Sequence, residues 1–424
     1  MDKTIPREWT LTTIDNVVDY LGSGISRPFY SDQVGVPVLR SNNVKDGCIV
    51  LDELKYWHEV DPRGANLETV TPMNGDILIN FVNGSAKELG KSAVFRGEPP
   101  GCIVSTNFFI VRLRRELALP DYISAYLQSD YYRDWLTEVV GFTGQGSFNQ
   151  KELRRLQIPL PPLSEQKAIA AVLSTWDRGI RQLTDLIAAK LRFKQGLMQQ
   201  LLTGKRRFKK FVLSDEQQSS AAGSFPKDWG LHRLGDITEE VRRKNDAGVT
   251  RVLTASGNHG LVDQRDYFNR SVAGKSLAGY YLLKRGEFAY NRSLMKGYPY
   301  GATKRLDFYD EGVVSTLYLC FRISSDECNS DWLAHVFESD VFNSQLRGIA
   351  KMGARAHGLL NVAASEFFHM ILPMPSKEEQ AAIASTLDMA DKEISLLEKQ
   401  LEALKQQKKG LMQKLLTGEV RVKL

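Results

Sequence analysis

Ile158-Pro159-Leu160-Pro161-Pro162-Leu163-Ser164-Glu165-Gln166 opens a long helical run that closes on Gly196-Leu197-Met198-Gln199-Gln200-Leu201-Leu202-Thr203-Gly204. The design returns 214 positions later without a gap. Leu372-Pro373-Met374-Pro375 and Glu379-Gln380 lead into a second run, which ends Gly410-Leu411-Met412-Gln413-Lys414-Leu415-Leu416-Thr417-Gly418. A fixed offset held from the first motif to the last marks an internal duplication, and a duplication sets the architecture before any single motif does.

Inside each run the apolar positions step by four and three. They are Ile169, Leu173, Trp176, Ile180, Leu183 and Ile187 in the first, and Ile383, Leu387, Ala390, Ile394, Leu397, Leu401 and Leu404 in the second. That spacing is the seam of a coiled coil. Proline precedes each run, Ser164 or Ser376 can cap it, and Glu165 and Glu379 sit where the helix dipole favours acid. Gly204 and Gly418 follow the last turn. A helix from Ser164 to Leu202 is roughly 58 Å long at the usual 1.5 Å rise. The two stripes match, so antiparallel pairing within the chain is expected; the alternative is that each helix packs on its own globular neighbour.

The chain has 424 residues, 42% of them hydrophobic and 25% charged, the composition of an ordinary soluble protein with room for several domains. A net charge of +6 suits a polyanionic partner without requiring one. Cys48, Cys102, Cys320 and Cys328 form no CxxC pair and lie near no histidine cluster, so neither a metal site nor a disulfide framework is expected. The expected compartment is a reducing cytoplasm. No signal-peptide core stands in the first twenty residues, and no run is long and apolar enough for a membrane span.

The order is globular, helical, globular, helical. Residues 1–155 read as a mixed α and β domain, with strands at Val36–Leu39, Ile77–Phe81 and Phe108–Leu113 and an amphipathic helix from Asp121 to Val140. Residues 156–204 are the first long helix, and 205–224 a polar linker. Residues 225–368 repeat the globular pattern and 369–424 the helix. Ile5-Pro6-Arg7-Glu8-Trp9 returns as Phe225-Pro226-Lys227-Asp228-Trp229. Gly75-Asp76-Ile77-Leu78-Ile79-Asn80 returns as Gly286-Glu287-Phe288-Ala289-Tyr290-Asn291, and Val104-Ser105-Thr106 as Val314-Ser315-Thr316. Between those landmarks the copies diverge. The fold class is therefore α+β, one fold used twice with two different surfaces. Lys190 to Lys210 carries eight basic residues and no acidic one, either as a solvated helix end or as a contact for a phosphate backbone.

Catalytic constellations are not found. Gly84 to Ser92 has five residues between its glycines where a phosphate-cradling loop needs four, and an apolar run follows where that motif demands a helix. There is no GxSxG elbow and no HExxH pair. Glu53-Leu54-Lys55 is half of a nuclease carboxylate–lysine pattern, a triplet common on surfaces. The chain itself is not expected to be an enzyme, nor to hold a metal or cofactor.

Antiparallel helices would carry two unlike readers to opposite ends of a rod, with an approximate two-fold axis between halves. Double-stranded DNA shares that pseudo-symmetry, and the rod would act as a ruler on the order of 15 base pairs long at ~3.4 Å each.

The runs "PLPPLSEQ…GLMQQLLTG" and "PMPSKEEQ…GLMQKLLTG" resemble those of the specificity subunit of type I restriction–modification systems, and the resemblance covers essentially the whole chain. One departure is Ser376 in the second motif where the first has Pro162. The resemblance implies two target-recognition domains alternating with two helices that pair antiparallel, each domain reading one part of a split target in double-stranded DNA. It also implies two adenine methyltransferase subunits gripped by the recognition domains, and restriction/translocase subunits that join for cleavage. S-adenosylmethionine and ATP would reside on those partners.

Base edges are read by Arg, Lys, Asn and Gln, and phosphates are held by Arg, Lys and backbone amides. In the first domain the loops that offer these carry Arg27, Arg40, Asn42, Asn43, Asn83, Lys87, Lys91 and Gln145. In the second they carry Arg242, Arg243, Lys244, Asn258, Arg292, Lys296, Lys304 and Arg355. On this reading Arg292→Ala weakens binding by about 1–3 kcal/mol and relaxes readout at one base. A competing reading is a coiled-coil scaffold with two peptide-binding domains; a third, an independent methyltransferase-nuclease, lacks the glycine-rich cofactor loop.

Overall fold

Ile77-Leu78-Ile79-Asn80 has no alternation of apolar and polar residues, and all four are buried. Such a strand belongs inside a sheet covered on both faces. In the computed structural model it lies third in a four-stranded antiparallel sheet, after Val18–Ser23 and Phe108–Leu113 and before Ser92–Val94. The second globular region builds the same sheet from Thr238–Glu240, Tyr318–Ile323, Phe288–Asn291 and Ala302–Arg305. Even the register repeats: Asn80 stands opposite Phe108, and Asn291 opposite Tyr318. The duplication seen in the landmarks is thus a duplication of the hydrogen-bond ladder, and the fold is α+β.

The structure describes residues 5–57, 66–141, 146–221, 223–257, 260–268, 276–295, 297–352 and 358–423. They form two compact units, one of residues 1–184 with 399–424, the other of residues 185–398. In each unit a ribbon ties the start of the globular region to the proline-rich lead of a long helix: Thr10–Thr13 with Gln157–Leu160, and Gly230–Arg233 with Ile371–Met374.

The long helices span Leu163–Leu201 and Lys377–Thr417, 39 and 41 residues. Every residue of the expected seam is buried or half-buried. Within the first unit Asp177 pairs with Lys408 at 2.6 Å and Glu165 with Arg421 at 2.5 Å. Within the second, Lys190 pairs with Glu393 at 2.6 Å and Lys194 with Asp391 at 2.5 Å. As numbering rises along one helix it falls along the other, so in each unit the two segments run antiparallel. Each helix also docks on globular structure. Ile169 and Leu173 join the first core together with Met412, Leu415 and Leu416, and Ile383 and Leu387 join the second together with Met198, Leu201 and Leu202. Both packing modes that the stripe allows are therefore used at once.

The repeated Glu-Gln has a structural reason that the helix dipole does not supply. Glu165 is buried, accepts the Trp9 indole N–H at 2.9 Å and is gripped by Arg421, which also reaches Glu8. Glu379 is likewise buried, accepts from Trp229 at 3.3 Å and is gripped by Arg207, which also reaches Asp228. Gln166 takes the Leu119 amide on its Oε1 and donates to the Leu117 and Pro161 carbonyls. Gln380 does the same with Asn329, Glu327 and Pro375. A single motif thus anchors each helix start to its globular region.

Four local expectations change. The expected helix from Asp121 to Val140 is two helices, Pro120–Tyr126 and Asp130–Val140, because the Ser129 hydroxyl caps the second by accepting from the Tyr132 amide. Ser376 does cap, accepting from the Glu379 amide at 3.3 Å. Ser164 lies inside a helix that begins at Leu163. The expected linker holds a hairpin, Gln217–Ser220 paired with Gly223–Pro226, since the Gln218 amide also spans to the Trp229 carbonyl. Lys190, Lys194 and Arg207 of the basic run are committed to internal ion pairs; Lys205, Arg206, Lys209 and Lys210 remain exposed.

Candidate nucleic-acid interface

Chain segments at the Asn80 end of the first sheet gather into one cluster. The Asn80 side chain donates to the Asn107 carbonyl at 3.2 Å, and the Phe81 amide donates to the same oxygen. The Phe148 amide donates to the Phe81 carbonyl, and Gly146 pairs with Asn83. The Ser105 amide donates to the Leu39 carbonyl, while the Gly24 and Ile25 amides donate to the Phe108 and Val104 carbonyls. A Cβ on Gly24 would stand 2.1 Å from the Ser105 carbonyl oxygen, so this approach requires glycine.

The second unit repeats the cluster with different side chains. The Leu360 amide donates to the Arg292 carbonyl as Phe148 does to Phe81, and Leu294 donates to Gly358. The Arg292 guanidinium then fills the gap between segments: Nε donates to Leu317 at 2.7 Å, and the two Nη atoms donate to Val362 and Thr316 at 3.3 Å each. Thr106 and Thr316 are exposed at equivalent tips. Neither was among the residues singled out, although the repeated Val-Ser-Thr landmark pointed at them.

Of the candidates in the first domain, Asn83 lies in the cluster, with its amide on Asn80 and its Oδ1 accepting from Ser85. Lys87 is exposed on the following loop. Lys91 pairs with Glu88 at 2.8 Å; that hydrogen bond holds the Glu88 carboxyl below its ordinary value against a smaller desolvation effect. Arg40 and Asn42 stand half-buried beside Leu39, Arg40 donating to the Glu53 carbonyl, and Arg27 donates to the Ser26 carbonyl. Asn43 is corrected to a structural role: it is fully buried, and its amide donates to Val50 and Asp52 at 3.0 and 2.9 Å. Gln145 lies outside the described residues.

In the second domain Arg242, Arg243 and Lys244 lie apart from the cluster. Arg243 pairs with Glu287 at 3.0 Å, at the other end of the strand from Asn291, and Arg242 pairs with Glu240 at 2.8 Å. Lys244 donates to Gly279 at 2.9 Å over the Tyr281 ring. Lys304 is also corrected: its side chain is 2% exposed and its ammonium faces Glu338 at 2.5 Å, beyond the reach of a duplex. Asn258, Lys296 and Arg355 lie outside the described residues. Among the described residues no helix is long and apolar enough to cross a membrane.

Comparison with known proteins agrees with this duplicated frame. The family model for the type I restriction modification DNA specificity domain matches residues 7–191. A putative type I restriction enzyme MjaX specificity subunit of Methanocaldococcus jannaschii is 25% identical over 438 residues, spanning 99% of this chain and 95% of that protein. The MjaVIII specificity subunit of the same organism is 25% identical over 443 residues, spanning 99% and 94%. A chain solved for the complex assembly and conformational transition of the type I R-M system has a TM-score of 0.59 at 17% identity, over 99% of this chain and 100% of that one, a likeness of fold. With one sheet frame built twice and near-complete coverage of these relatives, the chain is similar along its length to the specificity subunits of type I restriction–modification systems, and residues 7–191 match their DNA specificity domain.

Proposed function

We propose that each unit reads one half of an asymmetric, split site in double-stranded DNA and thereby positions adenine methyltransferase subunits. The observation that supports this most is one loop cluster repeated on two equivalent sheets with unlike side chains, Phe81 and Asn107 in the first, Arg292 and Leu317 in the second. Equivalent backbone would present the loops alike, while the different side chains packed between them would shape two different reading surfaces. Two methyltransferase subunits would carry S-adenosylmethionine, and restriction/translocase subunits would carry ATP. Lys205, Arg206, Lys209 and Lys210 supply exposed positive charge for a phosphate backbone.

Co-expression with a type I methyltransferase subunit, followed by genome-wide mapping of modified adenines, tests the reading. A split motif with unlike halves is expected; a continuous or palindromic motif overturns it. DNA affinity of the assembled complex should fall steeply with salt as counterions are released. An affinity indifferent to salt would favour a protein-binding scaffold instead.

A further inference from the structure

Lys304 occupies a strand position that ought to be apolar. It stands opposite Ala289 in the second sheet. The equivalent position of the first sheet, opposite Leu78, is Ala93, which is fully buried. Burying an ammonium costs several kcal/mol unless its hydrogens are all engaged, and here each one is. Nζ donates to the Gly257 carbonyl at 3.0 Å, to the Tyr298 hydroxyl at 2.7 Å and to Glu338 Oε1 at 2.5 Å. The Tyr298 hydroxyl in turn donates to Glu338 Oε2 at 2.6 Å, and its ring centroid lies 4.4 Å from the ammonium. Three separate segments meet there: the turn after strand Leu253–Ser256, the turn carrying Tyr298, and helix Ser330–Glu338.

The Tyr298 turn continues directly from Arg292 and Leu294 in the loop cluster, and it closes on itself through the Met295 and Tyr298 backbones. Arg292 fixes the base of this loop, and the Lys304 knot fixes its far end. Replacing such a buried ionic group by apolar side chains is often neutral for stability, whereas the geometry it imposes is specific. Burial pulls the Lys304 pKa below the ordinary lysine value, opposed by the Glu338 charge and hydrogen bond, so the ammonium is held by its partners and not by a favourable medium.

We infer that Lys304, through Tyr298 and Glu338, is a positioning residue that sets the loop conformation with which the second unit discriminates its half of the DNA site. This rests on the DNA-reading function proposed above. The first unit, with Ala93 in that place, does not depend on such a knot.

The test is adenine-methylation mapping by the full chain co-expressed with its methyltransferase, for wild type, Lys304→Met with Glu338→Gln, and Tyr298→Phe. The double substitution removes both charges together, so that the partly exposed Glu338 carboxylate is not left facing Tyr298 without its cation. Tyr298→Phe removes one hydroxyl and keeps the ring. The expected result is relaxed stringency at one half-site only, by about tenfold for the double variant and about threefold for Tyr298→Phe, each 1.4 kcal/mol of discrimination being a factor of ten. The other half-site keeps wild-type stringency, which a general loss of stability would not produce. The inference is overturned if Tyr298→Phe keeps both half-sites at wild-type stringency, or if either variant relaxes both halves equally or abolishes methylation. Absence of any split motif in the wild type would count against the DNA-reading function itself, and so is distinguishable.

Discussion

The Arg207 guanidinium lies side by side with the Glu379 carboxylate, Nε to Oε1 at 2.9 Å and Nη2 to Oε2 at 2.8 Å. Both side chains are almost wholly buried, at 7% and 2% exposure. Removing one partner of such a pair strands the other charge in the interior, a loss of about 3–5 kcal/mol. Arg207→Ala is therefore expected to lower the thermal midpoint of the second unit strongly. Its counterpart Arg421, whose side chain is 42% exposed, should give a clearly smaller shift when changed to Ala. Scanning calorimetry of the two variants checks the order; equal shifts would contradict it.

Gly204 closes the first long helix with φ +68°, and a Cβ there would stand 2.4 Å from Pro226 Cδ. Gly418 repeats both features, with φ +72° and a Cβ 2.3 Å from Pro6 Cγ. An alanine at either place meets left-handed backbone strain and a rigid proline ring together, a cost of about 1–3 kcal/mol. Urea unfolding of Gly204→Ala and Gly418→Ala should show both destabilised. Alanine at Gly196, where a Cβ would meet nothing within 4 Å, should instead be neutral or stabilising by helix propensity.

Arg292 has all three of its nitrogens turned inward on backbone carbonyls. Arg292→Ala removes three hydrogen bonds, but Thr316 and Leu317 are exposed and water can take the place of the guanidinium there, so the net cost in stability is about 1 kcal/mol. The variant should show faster amide exchange at Leu360, whose amide donates to the Arg292 carbonyl. A loss of DNA affinity with unchanged exchange would instead return Arg292 to direct base contact.

Burial pushes the thiols of Cys102, Cys320 and Cys328 up to about 12. The thiolate is the reacting form, so at pH 8 these three should resist alkylation in the folded chain. Cys48 is half-buried and should label first. Mass spectrometry should find one alkyl group per folded chain and four after denaturation, and Cys48→Ser should abolish the rapid phase.

The duplication, the two long helices, the seam residues and the α+β class were legible in the residues alone. Each is a local or periodic property: a stripe at Ile169, Leu173 and Ile187 announces a helix face whatever covers it, and a fixed offset needs no coordinates. Sequence could not tell a polar residue that meets solvent from one that serves the interior. Asn43, Arg207, Arg292 and Lys304 look like any exposed loop or helix-end residue. Their fates were decided by Val50, Glu379, Leu317 and Glu338, of which Glu379 lies 172 positions from Arg207. Burial and hydrogen-bond partners arise only when distant segments meet, so tertiary structure alone separated the side chains that build each reader from those left free at its surface.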